Sequence, residues 1–311
     1  MKIVCAMLVL LSLFTSCASR PPAVTRESRD GVIHLSNGVI EATVDPAKGR
    51  IMGFAFVGDD NLLWANPDAP QDQWLRWGGD KVWLWPQSAW RERTGQDWPP
   101  PGDPPAQPHH VRATRNGLVM TSPVVSQYGV RLVRELSMAP GQPTLTIVNR
   151  AEVVDPALAR DVALWTVTQV PPVDEVIATP IFHRSPAGVN SPVYPKALGD
   201  HKEKWPSPQP SLNYPGDVVF TRPTAASAKV GLDADKLRVQ IGDTFFTQHA
   251  TFSPAGGEQV PSERAQLYTN PADPDQSAAY VELEFTSPQW TTEDLREGEL
   301  VVTWTLWKPA K

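Results

Sequence analysis

Apolar and polar residues alternate with a period of two along much of this chain, the pattern of strands with one buried face. Residues 39–44 (VIEATV) are rich in β-branched side chains and end at Asp45-Pro46. Residues 49–57 give a second strand, closed by Gly58-Asp59-Asp60-Asn61. The same reading predicts strands over 111–113, 117–122, 129–138, 144–149, 162–170, 218–221, 236–241, 245–252, 280–286 and 300–307. No apolar period of 3.6 persists over a dozen residues, so helix is expected only as short turns near 155–160 and 292–296. Two Pro-rich stretches, 67–108 and 171–215, read as long loops, and long loops within a compact domain are often functional. No internal repeat or domain break appears, so residues 31–311 are expected to form one all-β domain, a sandwich or barrel.

The N-terminus breaks this pattern. Met1-Lys2 precedes an apolar run from Ile3 to Phe14. The run is too short to span a bilayer, which needs roughly 20 residues, and has the length of a signal-peptide core. Leu13-Phe14-Thr15-Ser16-Cys17 resembles a lipobox, with Phe14 where Leu is usual. Residues 1–16 are therefore expected to be an export signal. Cys17 would become the lipidated N-terminus, and residues 17–30 a flexible tether. Cys5 and Cys17 are the two cysteines of the chain, so the mature protein would contain no disulfide and would rest on its core alone. Ala18-Ser19 follow the cysteine. Without an Asp there, the outer membrane, periplasmic side, is the expected location.

The formal net charge of −6 argues against a nucleic-acid partner, which favours a basic face. No His or Cys spacing suits a metal, and no phosphate-binding glycine loop occurs. The expectation is no metal and no cofactor, with oligomeric state left open. Tryptophan is abundant, and seven of the 12 fall between residues 64 and 98. Such residues either plug the ends of a sandwich or line a ligand site.

Several short segments carry a family resemblance. His34-Leu35-Ser36-Asn37-Gly38-Val39-Ile40-Glu41, then Gly49-Arg50-Ile51 and Asn61-Leu62-Leu63-Trp64, look like the opening of galactose mutarotase-like (aldose 1-epimerase-like) proteins. The Gly78–Gln87 segment, the 280–288 strand, Gly298-Glu299 and Thr303-Trp304 resemble a bacterial branch of that superfamily. The resemblance implies a two-sheet β-supersandwich with a sugar site on the concave face of the larger sheet. It also implies a late Glu as base and a His as acid.

Alternation places Val281, Leu283 and Phe285 toward the core, with Tyr280, Glu282 and Glu284 on the opposite face. Glu282 or Glu284 is the candidate base, unless both decorate a solvated face. His183, in the second long loop, is the candidate acid, since histidine titrates near neutrality. In the extended run after Asp80, one face carries Lys81, Trp83, Trp85 and Gln87. These five residues and Tyr280 are the candidate saccharide contacts, because aromatic area with a few placed polar groups is the usual composition of a ligand pocket. Arg76, Arg91 and Arg93 either hold an acidic sugar or are solvated. The reading is an envelope-anchored carbohydrate-binding protein with scope for sugar mutarotation. The alternatives are an interaction lipoprotein that keeps the fold without a site, and a polysaccharide-cleaving enzyme with Asp80 as its second acid.

Overall fold

The computed structural model describes residues 24–66, 69, 77–103, 108–181, 183–184, 190–191, 196–198, 203–252, 263–271 and 279–309. Residues 1–23, with the expected signal and Cys17, lie outside them, as do Trp74, Arg76 and His201.

The first half of the chain contains β1 (Thr25–Arg29), β2 (Val32–Ser36), β3 (Ile40–Asp45), β4 (Arg50–Phe56), β5 (Asp80–Trp85), α1 (Trp90–Thr94), β6 (His110–Ala113), β7 (Gly117–Val125), β8 (Val130–Met138), β9 (Thr144–Val153) and β10 (Ala163–Val170). The second half contains β11 (Glu175–Pro180), β12 (His183–Arg184), β13 (Asn190–Ser191), β14 (Lys196–Ala197), β15 (Gln209–Pro210), β16 (Val218–Thr221), β17 (Ala228–Leu232), β18 (Ala234–Ile241), β19 (Thr244–Phe252), β20 (Ala265–Asn270), β21 (Tyr280–Thr286), α2 (Thr292–Leu295) and β22 (Glu299–Trp307).

Among the described residues twenty of these strands build two ten-stranded antiparallel sheets, and β12 and β13 pair as a separate two-stranded ribbon. The first runs β1-β2-β3-β4-β5-β10-β21-β20-β17-β14 and the second β15-β16-β11-β18-β19-β22-β9-β8-β7-β6. Apolar side chains from their facing sides fill the space between. Val281, Leu283 and Phe285 are fully buried there, as alternation predicts. Phe54 of the first sheet meets Trp304 and Phe246 of the second, with ring centroids 5.1 and 5.7 Å away.

One polar link crosses this core. Arg134 of β8 pairs with Asp80 of β5 and donates from Nε to Asn149 Oδ1 at 3.0 Å. Thr168 donates to the other Asp80 oxygen at 2.7 Å. All four residues are buried.

Several expectations change. Thr25–Arg29, within the expected tether, pair with β2. All five residues are exposed, so no apolar pattern marks the strand. Arg26 ties it across the molecule, donating to the Gly117 carbonyl at 2.6 Å. The two stretches read as loops carry strands, among them β5 near the centre of the first sheet and β11 in the second. β5 is buried on both faces and lacks the alternation that signals a strand. Residues 155–160 form a turn rather than a helix, whereas the expected helical turn near 292–296 is α2. An unpredicted helix, α1, places the fully buried Trp90 beneath the segment that follows β5.

Candidate functional site

Directly paired residues in an antiparallel sheet stand on the same face, so register alone assembles the outer face of the first sheet. One row runs Trp83, Trp165, Thr286. The next runs Lys81, Val167, Glu284, Gln266, and a third Gln169, Glu282, Tyr268, Lys229. From these rows Trp83, Trp165, Lys81, Gln169, Glu282, Tyr268 and Lys229 line a cavity of about 430 Å³. Arg50, at the start of β4, and Tyr280 also line it. Gln87 and Trp98, from the connection after β5, complete its edge.

The aromatic wall is braced from behind. Trp83 meets Trp165 edge to face at 5.3 Å, and packs against Trp90 and Trp98 at 6.3 and 5.9 Å. Its indole nitrogen donates to Asp103 at 2.9 Å, and Arg50 donates to the same carboxylate oxygen at 2.6 Å. Asp103 thereby clips the chain that carries Trp98 against β4 and β5. Trp98 itself stays 46% exposed. Tyr280 is held between Trp64 and Tyr268, at 4.6 and 6.2 Å.

Two carboxylates occupy different environments on this face. Glu284 is fully buried, accepting from Trp165 Nε1 at 2.7 Å and Lys229 Nζ at 2.9 Å. Burial pushes its pKa well above the usual carboxylate range despite the opposing pull of Lys229, and the nearby Glu282 charge adds to the rise. Glu282 lines the cavity and accepts from Gln169 Nε2 at 2.8 Å. Lys81 lies 3.9 Å from the same Glu282 oxygen. Its Nζ is buried without a hydrogen-bond partner. Burial holds this ammonium down at about 8, against the partly offsetting attraction of Glu282. A carboxylate and a readily deprotonated ammonium, side by side at a cavity wall, can accept and donate a proton.

The structure brings together Lys81, Trp83, Gln87, Tyr280 and Glu282, with Glu284 just beneath the surface. It separates others. Asp80 faces the opposite way, into the core with Arg134, because adjacent residues of a strand point to opposite faces; it is neither a saccharide contact nor a second acid. Trp85 shares a face with Trp83 but sits at the strand end, half-buried against the core and outside the cavity lining. Arg91 pairs with exposed Asp97, and Arg93 donates to the Leu158 and Arg160 carbonyls, so neither serves the cavity. His183 forms part of β12, and its side chain lies outside the described residues.

Sequence reading missed Trp165, Gln169, Lys229, Tyr268, Arg50 and Asp103. Trp165 and Gln169 were hidden because β10 is buried along its whole length and shows no alternation. Gln169 opposite Glu282 and Tyr268 opposite Glu282 are products of strand register, which only pairing reveals.

No protein-family model matches this sequence, and no curated protein matches it significantly. Solved structures do. The candidate mutarotase YeaD from Salmonella typhimurium is 13% identical with a TM-score of 0.53, covering 92% of this chain and 94% of its own. A candidate aldose 1-epimerase from Escherichia coli K12 is 11% identical with a TM-score of 0.50, covering 92% of this chain and 100% of its own. At such identities the likeness is one of architecture, and it agrees with the two large antiparallel sheets. This chain has the galactose mutarotase-like β-sandwich fold.

Proposed function

We propose that this chain is an exported, lipid-anchored protein that binds a saccharide in the cavity on the outer face of its first sheet. The observation that carries the reading is the composition of that cavity. Trp83, Trp98 and Trp165 present aromatic surface beside Lys81, Gln169, Lys229 and Glu282. Aromatic faces stack on the C–H faces of a sugar ring, while the polar groups supply directional bonds to hydroxyls. The names of the two structural neighbours, a mutarotase and an aldose 1-epimerase, point to the same ligand class. An interaction lipoprotein without a site predicts no concave pocket here, so the cavity favours the saccharide reading. Polysaccharide cleavage loses its second acid with Asp80 in the core.

The test is intrinsic fluorescence of residues 18–311 titrated with mono- and oligosaccharides. A saturable shift is expected. Trp98→Ala, at the exposed edge of the cavity, should weaken affinity about tenfold, the order of one lost aromatic contact. Trp85→Ala should leave affinity unchanged. No shift with any sugar at millimolar concentration would end the saccharide reading.

The anchor is tested separately. Cys17→Ser in the full chain should abolish incorporation of labelled palmitate and release the protein from the membrane fraction. Unchanged fractionation would refute lipidation at Cys17 and leave the cavity reading untouched.

A further inference from the structure

We propose that the cavity is built for an oligosaccharide of at least two linked pyranose rings rather than for a free monosaccharide, with Trp98 and Gln87 holding the second ring. The inference rests on the saccharide reading and specifies its ligand class.

The site is longer than one ring. Its lining side chains stand in successive rows of the first sheet, from Gln169 and Glu282 at one end to Trp165 and Trp83 at the other. Those end rows are four residues apart along β10, about 13 Å at the rise of an extended chain. Gln87, just past the end of β5, and Trp98, packed on Trp83 at 5.9 Å, carry the lining on from there. A pyranose placed against Gln169 and Glu282 leaves Trp98 untouched, whereas a second ring linked to it reaches that edge.

The two ends differ in chemistry. At the first end, Lys81 Nζ is buried without a hydrogen-bond partner and lies 3.9 Å from Glu282, which Gln169 holds. These groups suit the hydroxyls of one ring, and a ligand oxygen would complete the ammonium. The other end is aromatic. The planes of Trp83 and Trp98 are inclined at 79°, so one flat sugar face cannot lie on both. Each indole therefore serves a different ring.

Trp98 is fixed without being covered. Trp90, fully buried, packs against it at 5.3 Å and is itself pinned by donating to the Leu84 carbonyl at 2.8 Å. Arg91 pairs with Asp97, the residue before it, and Asp103 clips the chain that follows. Trp98 nevertheless keeps nearly half its surface in water, in contrast to the buried Trp83 and Trp165. An aromatic side chain held rigid and open at a cavity edge is preorganised for a ligand that covers its face. A second pyranose does so with its C–H groups, while its hydroxyls face Gln87 on the same edge.

Calorimetric titration of residues 18–311 with matched sugars tests this. The series are D-glucose, cellobiose and cellotriose; D-glucose, maltose and maltotriose; and D-galactose with β-1,4-galactobiose. In at least one series the disaccharide should bind about tenfold more tightly than its monosaccharide, the order of one added aromatic contact. Trp98→Ala should remove that gain, weakening the disaccharide about tenfold and the monosaccharide by less than about twofold. Trp98→Phe, which keeps an aromatic face, should retain most of it. The wild-type series decides the matter even if a variant misfolds. Monosaccharides that bind within about threefold of every longer sugar would overturn the inference and leave the saccharide reading intact. Equal weakening of both ligands in Trp98→Ala would also overturn it, placing Trp98 against the first ring. Absence of any sugar binding would remove both readings together.

Discussion

Replacing Arg134 with Met destabilises the protein by about 3–5 kcal/mol, the range for breaking a buried ion pair by removing one partner. Arg134 is 1% exposed and is the cation facing Asp80 across the two sheets. Without it, the Asp80 carboxylate keeps only the Thr168 hydroxyl, and Asn149 loses the donor to its side-chain oxygen. A charge stranded between apolar layers either stays at high cost or takes up a proton. The double change Arg134→Met with Asp80→Leu should recover much of the loss, since replacing a buried pair by apolar groups is often neutral. Urea unfolding of the wild type, single and double variants decides this. A single variant within about 1 kcal/mol of wild type would mean that the pair contributes little.

The second large effect lies under the cavity and depends on pH. In the wild type, the Glu284 pKa rises from 4.5 to about 7. The folded protein therefore holds a proton that the unfolded chain has released between those values. Its contribution to stability is complete below pH 4.5 and is lost as pH rises through about 7. Lys81, lowered from 10.5 to about 8, acts in the opposite sense at higher pH. Between about 8 and 10.5 the unfolded chain binds more protons, so stability from this group grows as pH rises. Lys229→Met removes the cation that partly offsets the burial of Glu284. It should cost about 3–5 kcal/mol near pH 8, where the carboxylate would otherwise be charged and alone. At pH 5 the loss should be much smaller, because the carboxyl is neutral there. Adding Glu284→Gln should erase this pH dependence. Equal destabilisation at pH 5 and pH 8 would show that Lys229 matters through packing rather than charge.

Local pattern and tertiary assembly contributed different parts of this picture. Strands with one apolar face, such as β8, β9, β19 and β22, alternate visibly and were legible as strands. Tyr280, Glu282 and Glu284 could be placed opposite the core face of β21 by the same period of two. Short motifs around Gly49 and Gly78 sufficed for the architecture. Strands buried on both faces, β5 and β10, carry no such signal, and the solvent-exposed β1 has no apolar pattern at all.

The sequence by itself determined the all-β class, the core-facing residues of the alternating strands, and the run that brings Lys81 and Trp83 to one face. The expected export signal and lipidated Cys17 rest on sequence pattern alone. Only the tertiary structure decided that Asp80 turns inward to Arg134, that Trp85 falls outside the cavity, and that Trp165, Gln169, Tyr268 and Lys229 enter it. The physical reason is range. Which face of a strand a side chain occupies follows from neighbours two positions away. Which partner it meets there depends on strand order and register, set by contacts between segments more than a hundred residues apart, as between Gln169 and Glu282.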